Sequence, residues 1–218
     1  MRTVNAHGIR NDAVEMTLWR EPRSLILASE SRARQALLAS AGLSFEAIPA
    51  DIDERAIQQT SKLSAPGEVA SLLACEKARW VSSRRAGHYV IGADQTLALG
   101  DRLFNKPRDC AQAVAQLRSL AGRRHELHSA VAVARDEQIV FEYVSVAGMT
   151  MRSLSETEIE TYVDEAGEGI VTSSVGAYQL EGLGVHLFER IEGDHFTVLG
   201  LPMLPLLAFL RSRQLLAL

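Results

Sequence analysis

The 218-residue chain predicts an α/β protein: an elongated mixed β-sheet with flanking helices, arranged as two lobes around a cleft. Three observations carry that prediction. The first half alternates short apolar runs with segments of helical spacing. The stretch 125–154 is rich in β-branched residues and broken by Arg135-Asp136-Glu137, the pattern of an antiparallel meander. Alternation first and a meander after it together give a mixed sheet.

The elements follow in order. SLILAS (24–29) is an apolar run ending in small polar residues, a buried strand and a turn. Residues 31–43 have helical spacing, with Leu37, Leu38 and Ala41 on one side and Gly42 as a stop. Residues 45–50 read as a second strand, ended by Pro49 and the acids of ADIDE. Residues 64–87 form a long amphipathic helix, with Pro66 near its start and Gly87 past its end. HYVIGAD (88–94) is a third strand, and 97–104 a hairpin turning at Gly100-Asp101. Residues 108–123 make a helix with Asp109 as N-cap and Gly122 as stop. After the meander, Ser155 and Glu158 spell a capping box. A glycine-rich block follows, then two strand-like runs around Glu192-Gly193-Asp194, then a closing helix over 202–216. Residues 1–23 read as a poorly ordered extension in which 16–19 could dock, and 24–218 as a single domain.

Composition narrows the function. Hydrophobic residues make up 47% and charged residues 23%, as in globular proteins. A net charge of −4 provides no basic field for a nucleic-acid polymer or an anionic membrane. Cys75 and Cys110 form no CxxC, which fits a reducing cytoplasm and argues against a disulfide framework. No run approaches the roughly 20 apolar residues that span a bilayer, and the N-terminus lacks the apolar core of a secretory signal.

Four features could carry chemistry. Ser29-Glu30-Ser31-Arg32-Ala33-Arg34 puts hydroxyls, arginines and helix-start N–H groups between a strand and a helix, the parts of an anion site. Asp51-Ile52-Asp53-Glu54 follows the second strand, and such acids suit a hard cation that shares its remaining positions with water and phosphate. Lys77 lies on the long helix. Asp94 sits where the third strand leaves the core, with Lys106 returning after a turn. Each alone also reads as an ordinary cap, turn or surface residue. Together they are the parts of a nucleotide phosphohydrolase. GxxxxGK[ST], GxSxG and HExxH are absent, as is a GxGxxG after a strand.

The blocks LILASESRARQALLASAGLSFEAIPADIDE, EKA, IGAD, KPRD, LRSLAGRRHE and GAYQLEGLGVHLFERIEGDHFTVLGLP resemble the Maf family of nucleotide pyrophosphatases, in order, from Leu25 to Leu210. The resemblance implies a fold similar to that of the inosine-triphosphate pyrophosphatases. It implies cleavage of a nucleoside triphosphate to the monophosphate and pyrophosphate with a divalent cation, Mg²⁺ or Mn²⁺. It makes Asp94 the proton acceptor and, with Glu54, the metal side. Lys77 and Lys106 match the family's phosphate lysines, and Ser29, Ser31 and Arg34 its first-loop phosphate site. A homodimer is a further expectation. The rival readings are a phosphatase or transferase on the same phosphate site, or a nucleotide-binding regulator of septum formation.

Three positions depart from the commoner pattern. The first loop is ASESRAR rather than ASxSPRR, so Ala33 replaces an arginine; GADQ puts Gln95 where the uridine/thymidine branch has Thr; LEG puts Glu181 where that branch has Gln. Gln95 and Glu181 resemble the 7-methyl-GTP branch, whereas Ala33 lacks that branch's aromatic. The chemistry agrees for Glu181. A carboxylate matches the adjacent N1–H and N2–H donors of guanine, and uracil offers one donor between two repelling carbonyls. The expectation is a guanine-type base, with a dTTP/UTP-type enzyme as the alternative.

Overall fold

The computed structural model describes residues 18–218. Its centre is a seven-stranded mixed sheet of order β2-β1-β3-β5-β6-β7, with β4 also on β3. The strands are β1 (Leu25–Leu27), β2 (Phe45–Ala47), β3 (Val90–Leu99), β4 (Arg102–Phe104), β5 (Arg124–Arg135), β6 (Gln138–Met151) and β7 (Phe188–Glu192). β2, β1 and β3 are parallel, and the other pairs are antiparallel. The helices are α1 (Arg32–Ser40), α2 (Glu54–Ser61), α3 (Pro66–Ser82), α4 (Cys110–Leu120), α5 (Glu156–Ala166), α6 (Glu168–Val171), α7 (His195–Val198) and α8 (Met203–Ser212). The expected mixed α/β sheet with flanking helices is therefore observed. Among the described residues, no helix is long and apolar enough to cross a membrane.

Most elements form where local signals put them. Asp109 accepts from Gln112 N at 2.8 Å and starts α4. Asp136 and Glu137 both adopt positive φ in the tight β5–β6 turn, the backbone a two-residue type I′ hairpin requires at both central positions. Ser155 and Glu158 form the complete capping box of α5. Ser155→Ala removes it and is expected to cost about 1 kcal/mol. A thermal melt should record a fall of about 2–4 °C.

Three expectations are corrected. The third strand does not end at Asp94: β3 runs on to Leu99 because β5 pairs with it from Val90 to Ala98. The acids at 51–54 do not merely end a strand: Asp53 accepts from Ala56 N at 2.9 Å and nucleates α2. The run after Gly193 is helical, because Asp194 accepts from Thr197 N at 3.0 Å.

Two apolar clusters share β3 and β5. One apolar cluster gathers Leu25, Leu27, Leu38, Ile91, Val131 and Leu206. A second gathers Leu97, Leu117, Leu127, Met149, Ile159 and Leu187. Asp94 and Gln95 fall between Ile91 and Leu97, at the waist. On the opposite face α3 lies close to the sheet, since its contact residues Ala70, Ala74 and Ala78 meet Ala130, Ala132 and Ala134 of β5. Residues 1–17 lie outside the described residues, and with them most of the expected N-terminal extension. From Leu18 the chain is docked: Trp19 is buried, bridges to Leu216 and meets Tyr89 edge-on.

Candidate active site

The site sits at a break in one edge of β3. β5 covers the other edge over Val90–Ala98. On the site edge, β1 pairs only at Val90 and Ile91, and β4 only from Leu97. Among the described residues, Gly92 to Thr96 therefore have no strand beside them there. The carboxyl end of β1 opens into this break, the position where open parallel sheets receive ligands.

Side chains fill the break. Ser29, just past β1, is buried, and its Oγ accepts from Ser31 N at 3.2 Å and Arg34 Nη1 at 3.3 Å. Ser31 caps α1 by accepting from Arg34 N at 3.4 Å. Arg34 then takes the place of a strand neighbour: Nη1 donates to Ala93 O at 2.9 Å and Nε to Gly200 O at 2.8 Å. Burial lowers the Arg34 pKa, while Asp94 and Glu54 raise it. A guanidinium stays charged regardless.

Alternation along β3 sends Asp94 to the α3 face and Gln95 to the other. Asp94 is 8% exposed. Lys77, between Ala74 and Ala78 on α3, reaches it with Nζ at 2.5 Å from Asp94 Oδ1. The same ammonium lies 2.7 Å from Glu54 Oε1 on the first turn of α2. Two carboxylates from separate elements thus converge on one cation. Burial pushes the Asp94 pKa up, Lys77 and Arg34 pull it down, and Glu54 adds to the rise.

The structure brings together Ser29, Ser31, Arg34, Lys77, Asp94 and Glu54. Lys106 is exposed and makes no ion pair with that set among the described residues. The antiparallel β3–β4 register nonetheless turns the chain after Phe104 back along the broken edge toward Asp94. Ala33 is half-buried on the first turn of α1, and Glu181 is exposed between 3₁₀ turns at Val175–Ala177 and Leu183–Leu187. That loop is anchored from below. Tyr178 OH lies 2.7 Å from Nε2 of buried His125, and Tyr162 OH donates to Ala177 O at 3.2 Å. Burial drops the His125 pKa to about 4, so the ring is neutral near neutral pH. Sequence reading missed His125 and Tyr178, as well as Ser129 and Thr197, which hold Gln95.

No group of three or more His, Cys, Asp or Glu among the described residues could hold a metal by itself. Glu54 and Asp94 still fit a hard divalent cation, which takes one or two carboxylates and completes its shell with water and phosphate. Lys77 occupies the cationic position between them.

Fold and site define an α/β protein built around a charged break in a sheet edge, where an ammonium and a guanidinium lie beside two carboxylates. The chain belongs to the Maf family: the Maf-like protein model matches residues 24–213. A relative from Bradyrhizobium diazoefficiens, named nucleoside triphosphate pyrophosphatase, is 69% identical over 93% of this chain and 100% of its own length. Another from Rhizobium meliloti, named 7-methyl-GTP pyrophosphatase, is 53% identical over 86% of this chain and 95% of its own. A HAM1 protein from Coxiella burnetii superposes with a TM-score of 0.40 at 20% identity, over 58% of this chain and 72% of that one.

Proposed function

We propose that this protein is a nucleoside triphosphate pyrophosphatase that converts its substrate to the monophosphate and pyrophosphate and prefers a guanine-type base such as 7-methyl-GTP. The observation that carries the chemistry is the Glu54–Lys77–Asp94 convergence beside Arg34. Asp94 accepts the proton of the attacking water. Its burial favours that role, because a carboxylate with a raised pKa is a better base near neutrality. Lys77, Arg34 and Lys106 balance the triphosphate charge, and Ser29 and Ser31 offer hydroxyls to it. Glu54 and Asp94 would hold the divalent cation, Mg²⁺ or Mn²⁺, which would supply Lewis-acid polarisation to the phosphate.

For the base, Glu181 is exposed on the anchored loop and presents only acceptors, the complement of a guanine edge. Gln95 and Ala33 complete the base-selecting positions. The name of the Rhizobium meliloti relative supports the same preference. A panel of triphosphates with product analysis tests the proposal. Pyrophosphate rather than phosphate should appear, and 7-methyl-GTP should outpace UTP and dTTP by at least about tenfold in kcat/KM. Faster turnover of UTP or dTTP contradicts the base preference, and release of single phosphates contradicts the reaction.

Lys77→Met gives a pH signature. Lys77 is the largest influence holding the Asp94 pKa down. Without the ammonium that pKa rises further, and the acid limb of the kcat/KM profile moves to higher pH. A limb that stays in place would show that Asp94 is not the titrating base.

A further inference from the structure

Gln95, Ser129 and Ser145 stand side by side across three adjacent strands, since Gln95 pairs with Ser129 and Ser129 with Ser145. They share the face opposite α3. On that face Ala93 and Val131 belong to one apolar cluster, and Leu97 and Leu127 to the other. The three polar residues therefore form a seam between the two cores.

α7 ends on this seam. Thr197 O accepts from Gly200 N at 3.1 Å, and side chains on the seam add to that bond. Gln95 Nε2 lies 3.1 Å from Thr197 O and 3.1 Å from Val198 O, and donates to Ser129 Oγ at 2.9 Å. Ser129 Oγ itself donates to Thr197 O at 2.7 Å. The Gln95 amide can only face this way, because a flipped amide would set its oxygen against two carbonyls. Thr197 Oγ1 donates to Asp194 and lies 2.9 Å from Ser145 Oγ. Just beyond α7, Gly200 O receives Arg34 Nε. The segment 194–200 is thus fastened to both neighbours of Asp94: to Gln95 directly, and through Arg34 to Ala93.

We propose that Ser129 is a positioning residue for substrate selection. It is fully buried, so it acts through its neighbours. It holds the Gln95 amide and the end of α7 in register, and through Gly200 it sets the aim of Arg34. Position 95 then influences base choice by placing the 194–200 wall, and its amide hydrogens face that wall rather than the base. This rests on the reading of Gln95 as a base-selecting position.

A double-mutant cycle with Ser129→Ala and Gln95→Met tests it, reading kcat/KM for 7-methyl-GTP and for UTP. Each single variant should shift the ratio of the two in the same direction by about fivefold, and the double variant should shift it no further. A merely structural Ser129 would lower both values alike. A ratio within twofold of wild type in Ser129→Ala, or a double variant equal to the product of the singles, overturns the proposal. If wild type favours UTP, the base preference fails while the cycle still decides the role of Ser129. If neither nucleotide is hydrolysed, amide hydrogen exchange over 195–201 decides it. Faster exchange in both singles and no faster in the double supports the network, and unchanged exchange overturns it.

Discussion

Asp94→Asn is expected to lower turnover by a factor of about 10²–10⁴ without lowering the melting temperature. The first effect follows from its place: it is the buried carboxylate that Lys77 holds at the break in β3. Asparagine keeps the shape and cannot accept a proton from water. The second follows from linkage. Burial raises the folded pKa of Asp94, so the folded protein holds this proton more tightly than the unfolded chain does. The stability this acid contributes is fully present below its unfolded pKa, about 3.9, and is lost as pH rises through the folded value. Above the folded value the ionised acid is therefore carried at a cost, which a neutral amide removes. Lys77 keeps Glu54 as partner. Steady-state kinetics and a melt at pH 7 check both halves. Turnover near wild type would remove Asp94 from the chemistry. A lower melting temperature would mean that the Lys77 pair stabilises more than burial costs.

Gly92→Ala is expected to be among the most damaging single-methyl additions to this chain. An added Cβ would lie 2.1 Å from Ala74 O, 2.7 Å from Ala78 N and 2.9 Å from Ala78 Cβ. Two of those atoms are backbone, so no rotamer change relieves the overlap, and the interior is too close-packed to absorb it. α3 must move off β3. Overpacking of this kind costs about 3 kcal/mol, which for a chain of this size lowers the melting temperature by roughly 6–12 °C. Lys77 lies between Ala74 and Ala78 on α3, so the same movement draws its ammonium away from Asp94. The folded fraction should therefore also turn over more slowly. A melting temperature within 2 °C of wild type would show that the α3–β3 contact is looser than these distances.

What could be read from the sequence was local. Asp109, Ser155 with Glu158, and the stops at Gly42 and Gly122 act on their own neighbours, and each appears where the residues put it. The length of β3 was not legible. Gly92-Ala93-Asp94-Gln95 looks like the end of a strand, but a partner more than 30 residues away holds it extended. His195-Phe196-Thr197-Val198 has strand-like composition and becomes a helix because Asp194 caps it. Asp94, Glu54 and Arg34 stood out as charged residues where an element was read to begin or end, whereas Lys77 inside the long helix did not, and the resemblance assigned all four their roles. Ser129 gave no such sign. Within HSAVAVA it is a small residue in an apolar strand, and only the register opposite Gln95 reveals its contacts. A polar residue on the inward period between Leu127 and Val131 was the available signal.

The broken edge of β3 also bears on how the chain keeps apart from other chains. A sheet edge with unpaired backbone groups is a template for an incoming strand, and proteins blunt such edges with charge. Here β1 and β4 close the two ends of the break, and Arg34 takes the Ala93 carbonyl a foreign strand would need. A peptide docking there would also have to bury the Lys77, Asp94 and Glu54 charges. The groups that make the break receptive to a small polyanion thus make it hostile to a polypeptide, and the opening serves as its own guard against aggregation.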